Sequence, residues 1–164
     1  MKLVPCMWCG GLFEDIEGPT HRYMESTPGC WAAYGEVLAR EYSSQEYFEI
    51  HRLTVDTYAV QHPGRPSPQS IKSVGYHLMR LCLLVERGLA MEQANTEMLN
   101  ITKARDSLTW LEPPPSQGPV TVADVHAAST ADEHKLLVRK WAASVWEAWS
   151  QHHPMIYDWL RELE

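Results

Sequence analysis

The sequence has no long apolar run and little basic charge. No stretch reaches the roughly 18 apolar residues that a membrane span requires, and residues 1–6 contain no apolar run of signal-peptide length. With 14 Lys and Arg against 21 Asp and Glu, the formal net charge is −7. Proteins that bind phosphate backbones carry basic patches, and no such patch stands out here. We therefore expect a cytoplasmic protein that binds neither membranes nor nucleic acid.

Motifs of common enzymes are also missing. The chain contains no Gly-x-Gly-x-x-Gly, Walker A, Gly-x-Ser-x-Gly or His-Glu-x-x-His pattern. These patterns position phosphate-binding backbone, a nucleophilic serine or a catalytic zinc ion. Their absence removes support for nucleotide cofactors and for the commonest hydrolases. The sequence leaves enzymatic and non-enzymatic roles both open.

Strands are not predicted, because no segment alternates apolar and polar residues over a useful length. At 164 residues and 45% hydrophobic content, the chain is long enough for one domain with its own core. Helical spacing and capping residues predict helices over about 28–42, 44–61, 69–87, 91–104 and 130–151, with short helices after Thr121 and from Pro154. The segment 69–87 is apolar around most of its circumference, which makes it the predicted central helix.

The predicted fold is therefore all-α, a helical bundle of about five to seven helices formed by residues 30–164. Residues 112–120 are rich in proline and are predicted to form a loop or linker. Residues 1–29 carry Gly or Pro every few positions and few aliphatic side chains, so they are predicted to be irregular. Such a segment cannot hold a fold alone, which suggests that a metal ion fastens it.

Cys6 and Cys9 are the most informative residues of this segment. A Cys-x2-Cys pair followed by glycine is typical of a metal-binding turn, in which two thiolates chelate one ion. Gly10 follows the second cysteine, a position at which positive φ is often required and glycine adopts it without steric cost. In a chain expected to lie in a reducing compartment, four cysteines favour metal or thiol chemistry over disulfides. Zinc is the predicted cofactor.

Two further ligands of this zinc site are predicted, His21 and Cys30, which gives the pattern C-x2-C-x11-H-x8-C. Cys30 falls in the first turn of a predicted helix, where the helix dipole favours a thiolate. A closed set of four protein ligands would be structural, and three ligands with water would be catalytic. Two alternatives stay open: His51 or His77 could replace His21, and Cys6 and Cys9 could instead form a redox-sensing thiol pair.

A second group consists of His51, Asp56, His62 and His77, of which His51, Asp56 and His77 are the predicted catalytic set and His62 is expected to cap a helix end. If the turn at 62–68 reverses the chain, His77 comes level with His51 across the helix pair, with Asp56 one turn away. Histidines and carboxylates that meet inside helical bundles often bind metals. The alternative is that these groups only hydrogen-bond in the core, with Arg52 or Arg80 pairing Asp56. His134 and the remaining histidines of the C-terminal half are expected at the surface or at helix ends.

Four blocks of the sequence resemble a bacterial family of short proteins known only as a domain of unknown function. These blocks are Cys6–Gly10 (CMWCG), Gly18–His21 (GPTH), Pro28–Trp31 (PGCW) and His51–Gly64 (HRLTVDTYAVQHPG). The resemblance runs from about Cys6 to Gly88 and implies a bacterial cytoplasmic protein. It supplies no catalytic residues.

The functional expectation is a zinc-binding helical-bundle protein. If it is an enzyme, metal-dependent hydrolysis or thiol transfer on a small-molecule substrate is the favoured class. The alternatives are a non-enzymatic interaction or regulatory module with structural zinc, whose partner is a protein, and a thiol redox sensor.

Overall fold

A computed structural model describes all residues, 1–164. It begins with a small antiparallel hairpin of two strands, β1 (Leu3–Pro5) and β2 (Leu12–Glu14), in which Val4 pairs with Phe13. Alternate side chains of a strand point to opposite faces. Phe13 is accordingly buried, whereas Leu3 and Leu12 are exposed on the opposite face. The sequence pattern predicts no strand here, since three residues are too few to show alternation.

The rest of the chain is helical, and the fold is all-α apart from the hairpin. The α-helices are α1 (Pro28–Ser43), α2 (Gln45–Phe48), α3 (His51–Gln61), α4 (Pro68–Leu81), α5 (Met91–Met98), α6 (Val122–His126), α7 (Ala131–Ala148) and α8 (His153–Glu162). A π-helical turn (Cys82–Glu86) extends α4, and 3-10 helices cover Ile101–Ser107 and Ser150–His152. None of the helices is both long and apolar enough to cross a membrane.

Side-chain caps account for where several helices begin. The hydroxyl of Thr27 accepts a hydrogen bond from the backbone N–H of Cys30 at the start of α1, and Ser67 does the same for Ser70 at the start of α4. Such caps satisfy donors that a helix N-terminus leaves free. Gly88, with φ of 65°, follows the π-helical turn and ends the predicted segment 69–87.

The most buried helix is α3, with nine of its 11 residues buried, and not the predicted central segment around α4. The buried polar side chains of α3 all have hydrogen-bond partners inside the protein. Gln61, for example, accepts a hydrogen bond from Trp141 Nε1 at 2.8 Å and donates to the carbonyl oxygens of Gln117 and Val120. Buried polar groups are tolerated when they are hydrogen-bonded.

The proline-rich segment 112–120 is packed against the bundle. Gln117 is buried within it, and its side-chain oxygen accepts a hydrogen bond of 2.8 Å from Trp149 Nε1. Trp141 and Trp149, two of the four buried tryptophans, therefore each donate to a glutamine, as is usual for an indole N–H in a core.

Candidate metal centre

Four side chains from three separate parts of the chain converge below the hairpin. Cys6 and Cys9 lie in the hairpin turn, Cys30 in the first turn of α1, and His62 directly after α3. Their ligand atoms all lie within 4.8 Å of one another, and all four residues are buried. We refer to them as the Cys3His cluster. Such a set of thiols and imidazole can hold a metal ion.

The hairpin turn presents its two cysteines through backbone hydrogen bonds. The N–H of Cys6 donates to the carbonyl oxygen of Gly11, and the N–H of Gly10 donates to that of Cys6, both at 2.9 Å. Gly10 has φ of 75°, as predicted for the residue after the second cysteine. The N–H of Gly11 points at Cys9 Sγ at 3.4 Å, a contact that favours the thiolate.

Cys30 reaches the cluster because the hairpin packs closely on the start of α1. A Cβ atom at Gly29 would lie 2.3 Å from the carbonyl oxygen of Glu14, so only glycine allows this approach. Cys30 Sγ then lies 4.0 Å from Cys9 Sγ. The first turn of α1 also provides the positive end of the helix dipole, which stabilises a thiolate.

His62 is oriented by Tyr58, one helical turn earlier. Its Nδ1 lies 2.8 Å from the carbonyl oxygen of Tyr58. Because a carbonyl only accepts, Nδ1 carries the proton, and Nε2 keeps the lone pair that a metal ion would use. Nε2 lies 3.4 Å from Cys30 Sγ, and the rings of His62 and Tyr58 stack at 3.8 Å. The Tyr58 hydroxyl lies 3.4 Å from the same sulfur. A carbonyl that fixes the imidazole in this way is the usual arrangement behind a metal-binding histidine.

The three thiols of the cluster differ strongly in acidity. Hydrogen bonds from Cys30 and Cys9 lower the pKa of the Cys6 thiol far below its usual value. The pKa of Cys9 rises to about 12, because a favourable hydrogen bond from Cys30 is outweighed by the effects of Cys6 and of burial. Hydrogen bonds to Cys6 and Cys9, followed by burial, raise the pKa of Cys30 well above normal. Three buried thiols cannot all ionise side by side unless a cation compensates their charge.

His21, the expected fourth ligand, lies outside the cluster. Its Nδ1 accepts hydrogen bonds from the backbone N–H groups of Tyr23 and Met24, at 3.2 and 3.1 Å, so it acts as a local turn acceptor. The cluster contains His62 instead. In the sequence, His62 followed by Pro63 looked like a helix-end residue, and no motif spacing relates it to Cys6 and Cys9. Only the packing of α3 against α1 brings it to the thiols.

His77 and Asp56, two of the predicted catalytic residues, contact each other between α4 and α3. His77 Nδ1 lies 2.7 Å from Asp56 Oδ1. Arg80 Nε donates to both oxygens of Asp56 at 3.1 and 3.0 Å. Of the two arginines expected as partners of Asp56, it is therefore Arg80 and not Arg52 that pairs with it. Neither His77 nor Asp56 belongs to the Cys3His cluster.

His51, the third of these residues, lies in a different group. Its Nδ1 donates to Glu41 Oε1 at 2.9 Å. The other oxygen of Glu41 accepts from His134 Nε2 at 2.7 Å and from the Thr54 hydroxyl at 2.5 Å. His134, expected at the surface or at a helix end, lies in the first turn of α7 and is fully buried, because this carboxylate accepts its hydrogen bond. Sequence reasoning missed Glu41, whose position near the end of α1 gives no sign that it is internal.

Comparison with protein families gives one relationship. A model described as a family of unknown function, DUF5946, matches residues 4–150. The match includes the whole Cys3His cluster and the helices that carry it. No curated protein and no solved structure matches the chain.

Proposed function

The chain belongs to this family of unknown function, and from the Cys3His cluster we propose that it binds one zinc ion in a structural role. The observation that carries the proposal is that four possible ligand atoms, all from buried residues, lie within 4.8 Å of one another. Zinc is usually tetrahedral, and structural sites fill all four positions with protein ligands. A closed set leaves no position for water or substrate, so it favours a structural ion over a metal-dependent hydrolase or a thiol transferase.

The distances within the cluster suit zinc. Bonds of about 2.3 Å to sulfur and about 2.0–2.1 Å to nitrogen, arranged tetrahedrally, separate two sulfurs by about 3.8 Å and a sulfur from the nitrogen by about 3.6 Å. The corresponding separations here are 4.0 Å between Cys9 and Cys30 and 3.4 Å between Cys30 and His62. A redox-sensing pair needs only Cys6 and Cys9, whereas a third thiol and an imidazole join them here. This four-membered set supports zinc over a redox-sensing thiol pair.

The zinc ion would hold the hairpin on the bundle. Strands of three residues are too short to be stable by themselves. The ion would join the hairpin turn to the start of α1 and the end of α3, three segments that are distant in sequence. A structural metal contributes its binding free energy to folding, which explains how so small a hairpin is retained.

The hairpin also supports the role of a non-enzymatic interaction module. Five of the ten exposed large hydrophobic residues lie within the first 16 positions: Met1, Leu3, Met7, Leu12 and Ile16. Beside the hairpin, a groove of about 340 Å³ is lined by apolar side chains of β2, α1 and α6, with Glu14 and Glu36 among its lining residues. Exposed apolar patches often mark protein contacts. We propose a protein partner that inserts apolar side chains flanked by Lys or Arg.

X-ray absorption at the zinc edge, together with the metal content of protein purified without a tag, tests the metal assignment. We expect about one zinc per chain, with three sulfur ligands at about 2.3 Å and one nitrogen at about 2.0–2.1 Å. A ligand shell that includes water, or a metal-free reduced protein, would contradict a closed structural site. The second result would instead favour the redox sensor.

Selection of displayed peptides on the zinc-loaded protein tests the interaction surface. Selected peptides are expected to be apolar with flanking basic residues, and to lose binding to Leu12→Asp. Leu136→Asp is the matched control, because Leu136 is comparably exposed, 50% against 58% for Leu12, but lies on α7. Peptides that bind both variants and the wild type equally would show that the hairpin face is not the docking surface.

A further inference from the structure

His77 is oriented by a buried hydrogen-bond network that shares no residue with the Cys3His cluster. Asp56, which contacts His77 Nδ1, is 1% exposed, and Arg80 on its other side is fully buried. Arg80 is fixed in turn by Asn95, whose side-chain oxygen accepts from Nη1 at 2.8 Å. This chain of charge-assisted hydrogen bonds sets the orientation of the His77 ring.

The orientation of His77 leaves Nε2 for a ligand. A carboxylate accepts hydrogen bonds, so the Asp56 contact places a proton on Nδ1. Nε2 has no hydrogen-bond partner in the protein, and the His77 side chain is 18% exposed. His77 lines an open cleft of about 330 Å³, together with Tyr23, Gln69, Lys72, Ser73 and Tyr76. That volume is within the range of small-molecule sites.

The surface around this cleft is positive, although the chain as a whole is acidic. Two further depressions, of about 200 and 310 Å³, adjoin it at Tyr76 and add Arg105 and Arg52. None of the residues that line the three depressions is Asp or Glu. In a chain with a net charge of −7, such a surface concentrates small anions.

We propose that the cleft between Tyr23 and α4 binds a small molecule that carries an oxyanion, either a phosphate or a carboxylate group. The Lys72 ammonium group and the protonated His77 Nε2–H donate to the oxyanion. The Ser73 hydroxyl, one helical turn before His77, provides a third donor. The rings of Tyr23 and Tyr76 contact the remainder of the ligand, since aromatic walls bind organic groups. This site shares no residue with the Cys3His cluster.

An NMR titration of the zinc-loaded protein tests the proposal, with inorganic phosphate, acetate and heparin as separate probes at constant ionic strength. In mildly acidic buffer, phosphate or acetate is expected to saturate the chemical-shift changes of the His77 ring and of Tyr76. Saturation by phosphate alone identifies a phosphate-bearing ligand, and saturation by acetate alone identifies a carboxylate. Heparin binding without saturation by either small anion would overturn the proposal in favour of a polyanion surface.

Variants separate this site from general surface charge. Lys72→Ala is expected to weaken binding about tenfold, which corresponds to the loss of one charge-assisted hydrogen bond. His77→Gln, which keeps a side-chain donor and avoids an empty space beside Asp56, is expected to weaken it by a similar factor. Lys140→Ala is the control, because Lys140 is exposed on α7 outside all three depressions. An equal loss in Lys140→Ala, or no loss in either cleft variant, would overturn the proposal.

Discussion

The role of a histidine in this protein depends on the backbone groups that hydrogen-bond to its Nδ1 atom. His62 and His21 are both within the match to the family of unknown function. His62 contacts Cys30, and the ring of His21 lies 5.4 Å from that of Trp31, the residue after Cys30. The backbone N–H groups of Tyr23 and Met24 occupy Nδ1 of His21. The carbonyl oxygen of Tyr58 instead accepts a hydrogen bond from Nδ1–H of His62, which leaves Nε2 facing the thiols. The second arrangement suits a metal ligand.

His62→Ala and His21→Ala form a matched pair that tests this difference. His62→Ala is expected to lower zinc affinity by more than about 100-fold, since even residues behind a ligand contribute 10- to 100-fold. His21→Ala should leave zinc affinity unchanged. Competition with a chromophoric chelator measures both values. Equal affinities of the two variants would mean that His62 is not a zinc ligand.

Cys82 provides a second prediction for single residues. It is fully buried outside the cluster, and burial, opposed by the charge of Arg87, raises the pKa of its thiol to about 11. Only the thiolate reacts with alkylating reagents, so its reactivity is low at neutral pH and increases as pH rises towards that value. In zinc-loaded protein we expect no rapid alkylation. After chelation the hairpin is no longer fastened to the bundle, so Cys6, Cys9 and Cys30 become accessible to solvent and should react, counted by mass spectrometry. Cys82 stays in the core and should be modified only on denaturation.

Among the elements, the hairpin depends most on a single contact. It meets α1 at Gly29, where the carbonyl oxygen of Glu14 leaves no space for a Cβ atom. The hairpin has few buried residues of its own, Phe13 among them. Its position therefore depends on this close approach and on the proposed zinc ion.

Gly29→Ala is expected to displace the hairpin and to destabilise the protein by about 1–3 kcal/mol, as overpacking does. Zinc affinity should fall with it, and amide exchange of residues 3–14 should rise. Gly35→Ala, in the same helix but with open space around the site of its Cβ, is the control. It should raise stability by about 0.5–1 kcal/mol, because alanine favours a helix. Identical exchange in the two variants would contradict this account of the hairpin.

For the whole molecule, buried polar groups decide which helices pack together. Glu41 of α1 accepts hydrogen bonds from α3 and from α7, and Arg40 beside it donates to the carbonyl oxygens of Val125 and His126 in α6. Gln61 and Gln117 connect α3 and the segment 112–120 with Trp141 and Trp149. These contacts are directional, so they set the rotation of each helix as well as its position.

Glu41→Ala is expected to lower the free energy of unfolding by about 3–5 kcal/mol, since it leaves His51 and His134 buried without their acceptor. Glu41→Gln should give a loss of stability between zero and that of Glu41→Ala. The glutamine keeps the side-chain volume, but its amide N–H groups would face other hydrogen-bond donors. Chemical denaturation measures these values. Glu147→Ala on the exposed side of α7 is the control and should stay within about 0.5 kcal/mol of wild type. A loss below about 1 kcal/mol for Glu41→Ala would show that this network is not a major source of stability.

Chemistry that is local in the chain determined much of what could be predicted. Helical spacing and caps identified the all-α fold and most helix positions, and the Cys-x2-Cys-Gly pattern predicted the turn that brings Cys6 and Cys9 together, with its positive-φ glycine. Such features depend on residues within a few positions of one another, so they can be predicted from a single sequence. Three of the four residues of the Cys3His cluster were named in this way.

The tertiary structure alone decided the rest. It brought His62 rather than His21 to the thiols, separated His51 from the pair of His77 and Asp56, and buried Glu41 with His134. These outcomes depend on the rotation and register of packed helices. Hydrophobic periodicity does not determine either of them more precisely than about one helical turn. A buried polar residue and an exposed one can look identical in sequence. The difference is a hydrogen-bond partner from a distant segment, which offsets the free-energy cost of burying the polar group.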